Sequence, residues 1–204
     1  MRFIRFGLLF LSVVLSFQSI AETPYYYVGV AAQEQSTRSV NFSPDTAIEN
    51  YNNIDYTAQF SGTAYRLFAG YSFNNYIATE IDYTSYEKQE FTMVSNNGGD
   101  IDLAGSSDSQ SLGMQAVVNL PFRQDFSVRL KLGVIAWHNS LDTLSLVESQ
   151  PSVSNDDSTG FEVSSGLGFH YALTRRVSFI FDWDNRPVKS ANVESIGLSL
   201  AYAF

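Results

Sequence analysis

The chain has 204 residues, with 12 Lys and Arg against 21 Asp and Glu and no cysteine. The acidic balance argues against nucleic acid, which needs a basic footprint, and against an electrostatic hold on anionic phospholipid. The missing cysteines exclude a disulfide framework and every thiolate metal site.

The first element is a leader. Met1 to Arg5 is basic, Phe6 to Phe17 is almost wholly apolar, and Ser19-Ile20-Ala21 sets small residues at a cut before Glu22. These are the three parts of a secretory signal peptide, so residues 1–21 are read as a leader and 22–204 as one domain. The apolar stretch falls short of the ~20 residues a spanning helix needs. Cleavage leaves 204 − 21 = 183 residues and, without Arg2 and Arg5, a formal charge of 10 − 21 = −11. Beyond the leader no apolar run is long enough for a membrane helix. Yet the whole chain holds 12 Tyr and 16 Phe, a composition that suits strands with every second residue facing lipid.

Read at period two, the mature chain contains eight strands. In order they are Tyr25 to Gln35, Gly62 to Phe73, Ile77 to Gln89, Ser109 to Leu120, Phe126 to His138, Gly160 to Ala172, Val177 to Asp184 and Val193 to Phe204. Most reach the ~9–11 residues that cross a bilayer when tilted. The connections Asn74 to Tyr76, Pro121 to Asp125 and Leu173 to Arg176 are short. Ser36 to Ser61, Glu90 to Asp108 and Asn139 to Thr159 are long, and Asn185 to Asn192 is intermediate. Alternating short turns and long loops fit an all-β, eight-stranded, antiparallel up-and-down transmembrane β-barrel with both termini in the periplasm.

One face of each strand is greasy: Leu67, Ala69, Tyr71 and Phe73 in the second, Phe179, Phe181 and Trp183 in the seventh. The other face is small or polar, such as Gly113 and Gln115 in the fourth. A charge toward lipid at mid-depth costs ~2–4 kcal/mol, least for carboxylates. Parity therefore sends Arg66, Glu80, Asp82, Arg129, Lys131, Glu162, Asp182 and Asp184 inward as a lumen polar network. Eight strands leave room for side chains, not for a wide channel. Lys131 is the expected shared partner of Glu80 and Asp182. A three-residue first turn sets Gly70 opposite Glu80 and Phe68 opposite Asp82; the third turn is read to set Gly166 opposite Asp182. Trp137 falls on the face of Lys131, and a bulge near Gly133 is invoked to turn it outward.

The segments Leu67 to Phe73, Tyr76 to Tyr83, Arg129 to Trp137 and Gly168 to Thr174, with the closing strand, resemble the OmpA-type transmembrane barrel family. The resemblance covers nearly all of the mature chain. It implies that Gly197, Tyr202 and Phe204, in the closing Gly197 to Phe204 stretch, form the terminal signal read by barrel-assembly machinery. It also implies that Glu80, Lys131 and Asp182 match charged lumen positions of the family. Three positions depart: Val117 stands where a lysine is expected, His170 where a glutamate is, and Ile180 where an arginine is. The family's switching ion pairs are thus mostly absent. Longer relatives add a peptidoglycan-binding domain, for which no residues follow Phe204, so wall anchoring is not implied.

No catalytic set is evident. His138 and His170 belong to opposite ends of the barrel and cannot share a site. Asn97 to Asp102 and Asn155 to Asp157 carry calcium-type oxygen ligands but match no complete loop and are read as solvated turns. Tyr25-Tyr26-Tyr27 is read as an aromatic girdle. The expectation is a monomeric, non-enzymatic protein of a Gram-negative outer membrane without cofactor or metal. It would contribute to envelope integrity and surface properties; an adhesin or host-factor receptor acting through the loops and a narrow pore are the alternatives. Its partners would be outer-membrane lipid and lipopolysaccharide, barrel-assembly machinery, periplasmic chaperones and a surface ligand, with no nucleic acid.

Overall fold

The computed structural model describes residues 24–37, 40–42, 56–58, 61–94, 102–147, 150–188 and 192–204. The leader and its cleavage site lie outside these residues, as does most of the first long loop. Among the described residues there are eleven strands and no helix: β1 (Tyr25–Thr37), β2 (Val40–Phe42), β3 (Tyr56–Ala58), β4 (Ser61–Ser72), β5 (Ile77–Tyr86), β6 (Gln89–Val94), β7 (Asp102–Arg123), β8 (Phe126–Val147), β9 (Gln150–Ala172), β10 (Val177–Asn185) and β11 (Val193–Ala203). Eight of them close a ring in the order β1-β4-β5-β7-β8-β9-β10-β11, sealed by the β1–β11 ladder, and every pairing is antiparallel. β6 continues along β7 beyond the end of β5. β2 and β3 form a separate hairpin.

Side-chain alternation explains the closed ring. Burial alternates residue by residue along β5, β10 and β11. The outward positions are large and apolar, and several are more than half exposed: Leu67 58%, Met114 61%, Leu132 62% and Val163 62%. An apolar wall this continuous is far larger than the patches that soluble monomers tolerate. Lipid satisfies it, and closure leaves no unpaired edge within the hydrocarbon. The ladder brings the start of β1 beside the end of β11, where Phe204 N donates to Tyr26 O at 2.9 Å. Both ends of the described barrel chain and the three short turns therefore share one rim, here called the terminal end. Aromatic rings gather there, with Tyr26 beside Tyr71 at 4.8 Å and Tyr202 beside Phe204 at 5.3 Å between centroids.

Three strands are much longer than their apolar pattern. β7, β8 and β9 have 22, 22 and 23 residues, about twice what a tilted strand needs to cross a bilayer. The stretch Asn139 to Thr159, read as a loop, is a hairpin with ladder pairs from Asn139↔Ser158 to Val147↔Gln150. Glu90 to Asp108 likewise contains all but the first residue of β6 and the start of β7. The third expected strand, Ile77 to Gln89, is split, since β5 ends at Tyr86 and β6 begins at Gln89. Above the membrane neither face needs to be apolar, so the period-two signal fades while backbone pairing continues. Asn139 holds the neighbouring strand by accepting from the hydroxyls of Ser107 at 2.7 Å and Ser109 at 2.6 Å. Asn155 to Asp157, read as a turn, lies within β9; Asn97 to Ile101 lies outside the described residues.

The turns set the register. Asn74 Oδ1 accepts from the backbone N–H of Tyr76 at 2.8 Å and of Ile77 at 2.9 Å, an Asx turn. Gly70 then pairs with Glu80 and Phe68 with Asp82. At the third turn Thr174 Oγ1 accepts from the N–H of Arg176 and Val177. This turn shifts the ladder by two residues from the sequence reading: Asp182 faces Gly168, and Gly166 faces Asp184. The second turn is only Gln124–Asp125, with a bulge between Pro121 and Arg123.

Candidate functional site: the packed lumen

The inward positions meet at the barrel axis and sort into three layers. Toward the terminal end, Tyr27, Phe68, Ala78, Val117, Ile180 and Ala201 form a buried, mainly apolar cluster. Toward the distal end, Ala64, Tyr86, Trp137, Val188 and Val193 form another. Between them lies the charged layer.

Its centre is a pair of carboxylates two residues apart on β10. Arg66, from β4, donates Nη2 to Asp182 Oδ2 and Nη1 to Asp184 Oδ2, both at 3.0 Å. Lys131, from β8, reaches the other two oxygens, with Nζ 3.0 Å from Asp182 Oδ1 and 2.6 Å from Asp184 Oδ1. Gln33 adds a hydrogen bond to Asp184 at 3.0 Å. The Arg66 guanidinium also lies over the Phe68 ring, 4.9 Å from its centroid, a cation–π contact. Glu80 pairs with Arg129 and accepts from Tyr27 Oη at 2.8 Å. Asp82 accepts from Arg186 Nη1 at 2.6 Å and from Gln115 Nε2 at 3.2 Å. Arg186 also donates to Thr84 Oγ1 at 3.0 Å. All eight ions of these pairs are almost fully buried. Four cations offset four carboxylates, so the layer is neutral, as burial of charge demands.

Glycine makes the room. Each of the four carboxylates faces a glycine directly across a ladder: Glu80 faces Gly70, Asp82 faces Gly113, Asp182 faces Gly168 and Asp184 faces Gly166. A Cβ on Gly113 would sit 2.7 Å from Asp82 Oδ2, and one on Gly166 would sit 2.8 Å from Lys131 Cε. The missing side chain lets a partner arrive from a distant strand.

Seven of the eight residues read from parity as a lumen network, namely Arg66, Glu80, Asp82, Arg129, Lys131, Asp182 and Asp184, lie in this layer. Glu162 does not: it is only half-buried, opposite Ile135 near the distal rim, and joins no ion pair among the described residues. Lys131 is not shared between Glu80 and Asp182 but between Asp182 and Asp184, since the ladder places the two β10 carboxylates together at its tip. The sequence reading missed Arg186, assigning it to a connection. The alternation Asp182, Asp184, Arg186, Val188 runs inward past the end of β10 and could have revealed it. Trp137 needs no bulge: it stays inward, 7% exposed, with Gly160 opposite it making space. The three tyrosines also divide, since Tyr26 faces outward and Tyr27 is buried on Glu80. His138 is exposed on β8, whereas His170 lies beside Ser127 at 3.4 Å near the terminal end. Gly197 is inward against Gln33, and Tyr202 and Phe204 face outward. Among the described residues no group of three His, Asp or Glu is arranged to hold a metal.

The family model for the outer membrane protein beta-barrel domain matches residues 6–204. No curated protein sequence matches the chain. Among solved structures, the chain is similar to Ail, the attachment invasion locus protein of Yersinia pestis, in complex with the heparin analogue sucrose octasulfate. The TM-score is 0.57 at 12% identity, over 90% of this chain and 100% of that one. It is also similar to the outer membrane protein OprG from Pseudomonas aeruginosa, with TM-score 0.51 at 12% identity over 89% and 95%. Neisserial surface protein A gives 0.50 at 18% over 90% and 100%. These identities speak for the shared fold. With the closed eight-stranded ring, the apolar outer wall and a family match over nearly the whole length, the chain belongs to the outer-membrane β-barrel domain family.

Proposed function

We propose that the protein is a non-enzymatic, non-conducting barrel that reinforces the outer membrane and carries its distal hairpins at the cell surface. The supporting observation is the lumen: a neutral charged layer, each ion beside an opposite charge, between two mainly apolar clusters. Ions crossing it would have to shed water among tightly buried side chains, at a high desolvation cost. This favours a structural member of the envelope over a narrow pore. In this reading the terminal end faces the periplasm and the long strands project outward. The protein acts as a monomer among phospholipid and lipopolysaccharide, after delivery by periplasmic chaperones to the assembly machinery. Gly197, Tyr202 and Phe204 act as the assembly signal.

The extension of β7, β8 and β9 supports a second reading, a receptor or adhesin. Its described surface carries Asp108, Asp142 and Asp157, so the ligand would be neutral or cationic. A polyanion such as the heparin analogue bound by Ail would meet like charge.

The test is cellular. Outer membranes should contain a form lacking Met1 to Ala21 whose unboiled gel band migrates differently from the boiled one. Protease added to intact cells should cut near residues 147–150 and spare Asn74-Asn75 and Arg175-Arg176. Planar bilayers holding the protein should show no single-channel steps. Steady conductance, or cleavage at the short turns, would sink the reading. Deleting Phe204 should send the chain to degradation in cells yet leave the urea midpoint of barrel refolded in lipid nearly unchanged.

A further inference from the structure

The chain is acidic, yet one rim of the barrel is not. Among the described residues, the turns at the terminal end carry Arg123, Arg175 and Arg176 against Asp125 alone. The distal rim carries Glu34, Glu87, Asp108, Asp142, Asp157 and Glu194 against Lys88. The paired charges inside are balanced, so the surface changes sign along the barrel axis. The whole-chain charge, which argues against any hold on anionic lipid, averages over two opposite ends.

The ladder brings the arginine-bearing turns together. Phe126 pairs with Tyr171, and Ala172 N donates to Asp125 O at 2.8 Å, tying the β7–β8 turn to the β9–β10 turn. Beside this junction lies an open cleft of about 800 Å³ lined by Arg123, Gln124, Asp125, Phe126 and Tyr171. Its aromatic floor runs into the lipid-facing wall: Phe126 stacks on Phe169 with centroids 6.0 Å apart, and Phe169 and Tyr171 are exposed outward. Arg176 Nη1 donates to Tyr202 Oη at 3.3 Å, which engages this arginine on the β11 side of the rim and outside the cleft.

An occupant must therefore be amphiphilic, with an anionic head at the rim and an apolar body along the wall. Guanidinium groups suit phosphate, which they bind through paired N–H donors. A soluble anion would leave the aromatic wall unused. We propose that this cleft is a headgroup site for an anionic glycerophospholipid, with its phosphate at Arg123, approached by Arg175 from the neighbouring turn, and an acyl chain on Phe169 and Tyr171. The site rests on the topology proposed above, which turns this rim toward the phospholipid leaflet.

Spin-labelled phosphatidylglycerol and phosphatidylcholine, each at trace level in phosphatidylcholine vesicles holding refolded protein, test it. The motionally restricted fraction should favour phosphatidylglycerol by about fivefold for each arginine engaged. Arg123→Gln/Arg175→Gln removes both arginines assigned to the headgroup and keeps Arg176 on Tyr202; it should bring the preference near parity, while Lys88→Gln should leave it unchanged. The heat-shifted gel band certifies the fold of each variant. Should the double variant not refold, a salt titration of the natural protein decides, because the preference must fall as salt rises. A preference that survives in the double variant, is insensitive to salt, or is erased by inorganic phosphate at an ionic strength where chloride leaves it intact overturns the proposal. Cleavage of intact cells at the short turns would instead overturn the topology and leave this vesicle measurement standing.

Discussion

Two neighbouring layers of the lumen are buried to the same degree and filled by different physics. The apolar layer gathers Val117 and Ile180 in one buried cluster, where contacts carry no fixed direction. The charged layer, one step further along the axis, spends the same volume on Arg66, Lys131, Asp182 and Asp184, whose positions are specified to within a hydrogen bond. Burial alone therefore does not define how a barrel interior is held. The charged layer joins strands far apart in the chain: Arg66 reaches Asp184 across 118 residues. It ties the ring together across the interior, whereas the apolar layer fills it.

That contrast can be broken by substitution, with stability read as the urea midpoint of refolded protein in one lipid. Arg66→Met should cost most, about 3–5 kcal/mol before any relief from entering water, because two carboxylates are left with one cation. Lys131→Met should follow, since Arg66 still bridges both carboxylates. Gly113→Ala should come next, at about 1–3 kcal/mol, as its Cβ crowds the fixed Asp82 carboxylate. Ile180→Val in the apolar layer should cost about 0.5–1.5 kcal/mol. Lys88→Met on the exposed distal rim should stay within about 0.5 kcal/mol. An Ile180→Val midpoint shifted further than that of Arg66→Met would reverse the assignment of the two layers. Equal midpoints for Lys131→Met and Lys88→Met would remove the network altogether.

Much of the fold was legible along the chain. A strand facing lipid on one side and a narrow interior on the other must alternate, so Leu67, Ala69 and Tyr71 declare the wall and Arg66, Phe68 and Gly70 the interior. The rule failed where its cause stops. Beyond the membrane neither face needs to be apolar, so the extensions of β7, β8 and β9 carry serines, asparagines and aspartates without alternation and read as loops. It was also set aside too early in two places. Arg186 follows the inward parity of Asp182 and Asp184 but was assigned to a connection. Trp137 shares the inward parity of Lys131, where the sequence reading invoked a bulge near Gly133 to turn it outward; Gly160 opposite it supplies the space.

The sequence by itself determined the class of fold, the faces of the membrane-crossing strands and which residue types had to be buried together. The cost of placing backbone or charge in hydrocarbon dictates all three, and that cost acts residue by residue. Only the tertiary structure decided who pairs with whom. Lys131 meets both Asp182 and Asp184, Glu80 goes to Arg129 and Tyr27, and Arg186 crosses to Asp82. Those choices depend on the register of each ladder and on closure of the ring, and a Thr174-capped turn that shifts one ladder by two residues changes them. A period of two cannot sense such a shift, because it leaves every side chain on the same face.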